Sequence, residues 1–94
     1  MAYLLVHHKV KDFAVWKPLF DQDAAHRKAT GSKGGLLFKS ADDPNDIFIL
    51  FEWQSQEEAR AFTSSVDLKD TMSRAGVVGM PDIHFLDRVE KIRV

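Results

Sequence analysis

The sequence predicts an α+β fold of order β-α-β-β-α-β, a four-stranded antiparallel sheet with helices against it in the ferredoxin-like arrangement. Three observations predict it. Four β-rich runs are separated by helical stretch, tight turn and helical stretch, in that order. The third run, Phe48 to Trp53, passes almost without a loop into a helix start at Ser55 to Glu58, with the spacing of a capping box. Finally, that run is apolar on both of its pleat faces.

Ala2 to Val10 (AYLLVHHKV) reads as strand one. Asp12 is an N-cap for a helical segment reaching about Thr30. Phe13, Trp16, Phe20, Ala24 and Arg27 recur at three and four, an apolar stripe with a polar end. Pro18 removes a backbone donor, so a short turn over Phe13 to Lys17 is expected, with the main helix starting near Pro18. Gly31 stops it. Gly34 to Ala41 is the second strand, and the turn formers Asp42 to Asp46 join it to the third as a hairpin. Strand three, Ile47 to Trp53, carries Ile47, Ile49, Phe51 and Trp53 on one face and Phe48 and Leu50 on the other. A strand apolar on both faces is covered on both. The helices supply one cover, and a second subunit is expected to supply the other. Helices follow over Gln56 to about Ser65, burying Ala59 and Phe62, and over Val66 to Ala75, with Leu68 and Met72 one turn apart. The run Gly76 to Pro81 is read as a break, and Asp82 to Ile92 as the last strand.

Ninety-four residues are expected to form one domain, residues 1–94. The core is thin at this size, yet 45% of the residues are hydrophobic and seven are Phe, which again favours a partner subunit. A net charge of −1 provides no electrostatic footprint for nucleic acid or an anionic membrane. The absence of cysteine excludes disulfides, thiolate chemistry and zinc ribbons. No apolar run reaches the ~18 residues of a membrane span and no leader precedes strand one, so a cytoplasmic protein is expected.

Over nearly its whole length the chain resembles the antibiotic-biosynthesis-monooxygenase-like domains of the dimeric α+β barrel superfamily. The resemblance rests on strand one with KVKD, Gly34-Gly35-Leu36-Leu37-Phe38, Asp43-Pro44 in the hairpin, Glu52-Trp53, and Glu57 to Phe62. It implies two ferredoxin-like sheets packed face to face as a homodimeric barrel. Departures from the pattern restrict what can be transferred. Phe62 and Asp67 stand where such domains often carry His, and Met72 is the nearest candidate where the haem-degrading branch has its axial His. Haem degradation is therefore not expected.

The four histidines are the groups that titrate nearest neutrality. His7 and His8 are adjacent on strand one and so point oppositely. Leu4, Val6 and Val10 are more apolar than Tyr3, Leu5 and Lys9, which sets His8 at the edge of the helix-covered core and His7 toward the dimer cavity. Ile83, Phe85 and Val89 read as helix-facing, leaving His84 and Leu86 toward the cavity. His7 and His84 are then either general bases or ligand contacts on one wall, or interface histidines satisfied by backbone or water. The sequence places no carboxylate to orient either ring. His26, with Asp23 three residues earlier, is read as a helix-surface residue or one at a cavity mouth.

Tyr3, Leu5, Phe51, Trp53 and Leu86 are the candidate ligand-binding residues, with Trp53 either a stacking wall or core. His7, His84 and Glu52 lack the ligand spacing of a metal site, and the reading includes neither metal nor cofactor. No serine has a His and Asp nearby to activate it, and Gly31 to Gly35 open a strand rather than a phosphate loop. The functional expectation is a small homodimer binding a small hydrophobic or aromatic molecule, between the sheet and its helices or partner subunit. The alternative is a cofactor-independent monooxygenase or isomerase with a His general base.

Overall fold

The computed structural model describes residues 2–94, and of Asp67 the backbone alone. The elements are β1 (Ala2–Val10), α1 (Phe13–Gln22), α2 (Ala24–Ala29), β2 (Ser32–Lys39), β3 (Asp46–Trp53), α3 (Gln56–Thr63), α4 (Val66–Arg74) and β4 (Val77–Asp87). Each helical stretch of the expected β-α-β-β-α-β order is thus a pair of helices. The sheet runs β2-β3-β1-β4 and every pairing is antiparallel. None of the described helices is long and apolar enough to cross a membrane.

Three elements differ from expectation, the first being β2, which starts and ends two residues earlier than the expected Gly34 to Ala41. α1 runs straight through Pro18, and the break falls at Asp23 instead. Pro18 forfeits one backbone hydrogen bond, whereas a break there would part Trp16 from Phe20, whose rings stack with centroids 4.7 Å apart on the sheet. Because the helix breaks at Asp23, the stripe loses phase and Ala24 is exposed. β4 starts at Val77, five residues before the expected start, and ends at Asp87, which leaves Val89 outside the strand and 93% exposed. Gly79 and Pro81 do not break it, because β4 is an edge strand and its pairing with β1 shifts register between His7 and Lys9.

Both N-cap side chains act as read, whereas the Glu58 carboxylate of the capping-box pattern lies against Gly31. Asp12 accepts from the Ala14 N–H at 3.0 Å, and Ser55 from the Glu58 N–H at 3.2 Å. Gly31, at φ 112°, follows α2, and the Trp53 indole N–H donates to the Thr30 carbonyl at 3.1 Å.

Alternation along the strands divides the sheet cleanly. Leu4, Val6, His8, Ile47, Ile49, Phe51 and Trp53 are buried beneath the helices with Trp16, Ala59 and Phe62. Among the described residues no helix covers the other face. Its side chains form cross-strand rows, Leu36–Leu50–Leu5–His84, then Phe38–Phe48–His7–Asp82, then Glu52–Tyr3–Leu86. Leu36, Phe38 and Leu86 are 58%, 52% and 40% exposed there, an apolar surface larger than isolated exposed residues would make.

Candidate functional site

The residues singled out from sequence fall on both sides of the sheet. Tyr3, Leu5, Leu86, His7 and His84 lie on the open face. Phe51 and Trp53 lie on the helix face, 6% and 0% exposed, so they share no wall with the other five. Trp53 is core: its ring meets Phe51 edge-on at 5.7 Å and Phe62 at 4.7 Å. A stacking wall at the end of an open-face cavity is ruled out for it by the pleat, which sends Trp53 and Tyr3 to opposite sides.

On the open face, His7 stacks on Phe48 with ring centroids 4.1 Å apart and an interplanar angle of 5°. Its Nε2 lies 2.6 Å from Asp46 Oδ1, and its Nδ1 lies 3.6 Å from Asp82 Oδ2. Asp46 is therefore the orienting carboxylate that the sequence did not reveal. It starts β3, one residue before the expected start at Ile47, diagonal to His7 across the pairing of Lys9 with Asp46. His84 sits opposite Leu5, on the same face and one row from His7. Glu52 pairs with Tyr3, four residues along from His7, or about 13 Å of strand. These three groups do not converge, and no set of three potential metal-binding side chains occurs among the described residues. A shallow hollow beside Tyr3, Leu50 and Leu86 completes this face.

The enclosed site lies on the other side. Trp16 and Phe20 from α1, Arg27 from α2, Phe62 and Thr63 from α3, and Leu68, Thr71 and Met72 from α4 roof a pocket over Val6, His8, Ile49 and Phe51 of the sheet. Its volume is about 60 Å³. A cleft of about 190 Å³ adjoins it along β2 and shares Phe20, Arg27, Ile49 and Phe51. The cleft runs beside Gly35, where the β2–β3 register shifts and a side chain would strike the Leu50 carbonyl. Phe62 is an apolar wall of this pocket and lies 6.3 Å from the His26 ring. Asp23 turns to Arg27, at 3.9 Å, rather than to His26.

Asp23, Thr63 and Thr71 also line this chamber, but two of its polar groups are buried without full compensation. His8 is 6% exposed and has no protein hydrogen-bond partner on either ring nitrogen among the described residues. Burial lowers its pKa to about 4, the neighbouring His7 adds to that, and Asp46 opposes it. At neutral pH it is an uncharged imidazole with one donor and one acceptor. Arg27 is 9% exposed; its Nη1 donates to the Phe20 carbonyl at 2.8 Å and its guanidinium lies 3.9 Å over the Phe20 ring. Burial lowers its pKa as well, against the pull of Asp23 and Asp21.

Neither residue was singled out from sequence as a site. The available signals were a histidine in phase with Leu4, Val6 and Val10, and an arginine in phase with Phe13, Trp16 and Phe20.

No family model and no curated protein matches the sequence. Solved structures do match. SnoaB, a cofactor-independent oxygenase from Streptomyces nogalater, superposes with a TM-score of 0.77 at 13% identity, over 97% of this chain and 95% of its own. A crystal structure of an antibiotic biosynthesis monooxygenase has a TM-score of 0.72 at 15% identity, covering 96% and 100%. Rv0793 from Mycobacterium tuberculosis has 0.71 at 11% identity, covering 98% of each chain. At these identities the likeness speaks to architecture, and in architecture this chain has the ferredoxin-like α+β fold of the antibiotic biosynthesis monooxygenases.

Proposed function

We propose that this chain binds a small aromatic molecule in the pocket between sheet and helices, and that two copies join through their open sheet faces as an α+β barrel. The observation that carries the binding reading is His8. A buried polar group without a partner costs about 1–3 kcal/mol, and a ligand that hydrogen-bonds it removes that cost. Aromatic walls from Trp16, Phe20, Phe51 and Phe62 suit a flat apolar body.

The dimer reading rests on the apolar rows of the open face. Four strands about 4.8 Å apart and some eight residues long outline roughly 500 Å² before side-chain relief is counted. That is on the scale of a standard interface, about 800 Å² of accessible surface per partner.

Binding is favoured over catalysis at His8 by its basicity. A base of pKa about 4 that takes a proton from a phenol of pKa about 10 works uphill by roughly 8 kcal/mol. The second reading is a cofactor-independent monooxygenase or isomerase, the activity class in the name of SnoaB. It is supported by His7, whose ring Asp46 holds at 2.6 Å in the manner of an oriented base. Loss of turnover in His7→Ala and His84→Ala would favour that reading, and unchanged turnover would remove it.

Methionine methyl NMR tests the binding reading. Met72 lines the pocket, whereas Met80 is 92% exposed and serves as an internal control. Phenol at millimolar concentration is expected to shift the Met72 methyl and leave Met80 in place. No shift of Met72, or an equal shift of both, would refute occupancy of this pocket.

A further inference from the structure

Building on the pocket reading, we propose that the ligand is a single-ring aromatic acid lying along the strands, its carboxylate on Arg27 and a hydrogen-bonding substituent opposite it at His8. The two polar groups stand at opposite ends of the pocket. His8 pairs with Ile47, whereas Phe51, beneath Arg27 at 5.9 Å, pairs with Leu4. Four residues of strand separate the two positions, about 13 Å. Between them run the rings of Trp16 and Phe20.

Arg27 is a buried cation with incomplete compensation. Of its five N–H donors, one has a protein hydrogen bond among the described residues, that of Nη1 to the Phe20 carbonyl. The nearest carboxylate, Asp23, is 3.9 Å away, too far for a hydrogen bond. A planar carboxylate meets the remaining fork in bidentate fashion, which an amide or hydroxyl does not. Arg27 also lines the outer cleft, so the acid group keeps access to water. Asp23 repels an anion approaching from its own side, which leaves the cleft side for the carboxylate.

Size restricts the ring system. The inner pocket of about 60 Å³ has room for about four waters at ~15 Å³ of such volume each. That is less than half of the ~150 Å³ dry cavity that takes up benzene, so even a single ring extends from the pocket into the adjoining cleft of about 190 Å³. A fused ring system needs still more of the cleft, where the carboxylate has to reach Arg27.

The test is a set of four probes, read by the Met72 methyl: 4-hydroxybenzoate, 4-hydroxybenzamide, phenol and 6-hydroxy-2-naphthoate. The expected result is that 4-hydroxybenzoate binds at least tenfold tighter than the amide and the naphthoate. Arg27→Met is expected to abolish the preference for acid over amide, and Arg27→Lys to keep part of it. Equal affinity of acid and amide, or an acid preference that survives Arg27→Met, would overturn the proposal while phenol binding upholds the pocket. Failure of all four probes to move Met72 would overturn both. Should Arg27→Met not fold, the acid-to-amide ratio on the unaltered protein decides.

Discussion

Acid should destabilise this protein through His8. In the unfolded chain His8 titrates near 6.5, and in the fold at about 4. Between those values the unfolded state holds a proton that the folded state lacks, so stability rises with pH across the window. The contribution is complete above pH 6.5 and is lost as pH falls toward 4. With 1.36 kcal/mol per unit, the loss is about 2 kcal/mol by pH 5 and about 3 kcal/mol by pH 4. A domain of this length has roughly 5–14 kcal/mol to lose, so the effect is a large fraction.

The perturbation that isolates it is His8→Leu, which fills the same site without ring nitrogens. Urea unfolding at fixed protein concentration, from pH 7.5 to 4.5, should show the unaltered protein losing about 2 kcal/mol more than the variant between pH 7 and 5. At pH 7 the variant should be at least as stable, because two unpartnered buried nitrogens are gone. Parallel pH profiles would refute the reasoning, since they would mean that His8 is solvated or partnered in the fold.

Leu50→Asp puts a charge at the centre of the open face, opposite Leu5 and Leu36. Sedimentation should show a folded monomer, and an unchanged monomeric mass in the unaltered protein would overturn the dimer. Gly35→Ala drives a methyl group into the Leu50 carbonyl and the Phe51 backbone, at a cost of about 1–3 kcal/mol. A fall in Tm of about 5–20 °C is expected on that basis. Trp53→Phe leaves the Thr30 carbonyl without its indole donor, at about 1–3 kcal/mol plus the lost volume, measured as a lower urea midpoint at unchanged slope.

Much of the fold was legible because β alternation is a strict period of two. It sorted His8 from His7, and Ile47, Ile49, Phe51 and Trp53 from Phe48 and Leu50, onto the faces they occupy. Pro18 and the Gly79–Pro81 run were misread for one shared reason. Local rules penalise a residue by type, whereas its actual cost depends on what the alternative would break. At Pro18 the alternative is the Trp16–Phe20 stack, and at Pro81 an edge strand has no outer neighbour to lose.

The site was less legible for a different reason. A pocket is the space that four helices leave above a sheet, and no single segment encodes it. Phe51 and Trp53 follow each other at spacing two and both face that layer, yet Phe51 lines the pocket and Trp53 is sealed by Phe62 and Thr30. The same holds for the adjacent histidines. The sequence drew attention to His7, whose predicted face is open and whose partner Asp46 completes it. His8 is the residue left incomplete by the fold, and incompleteness is what a ligand can supply. A search for function among buried residues that asks which polar atom lacks a partner therefore selects His8, where a search for exposed titratable groups selects its neighbour.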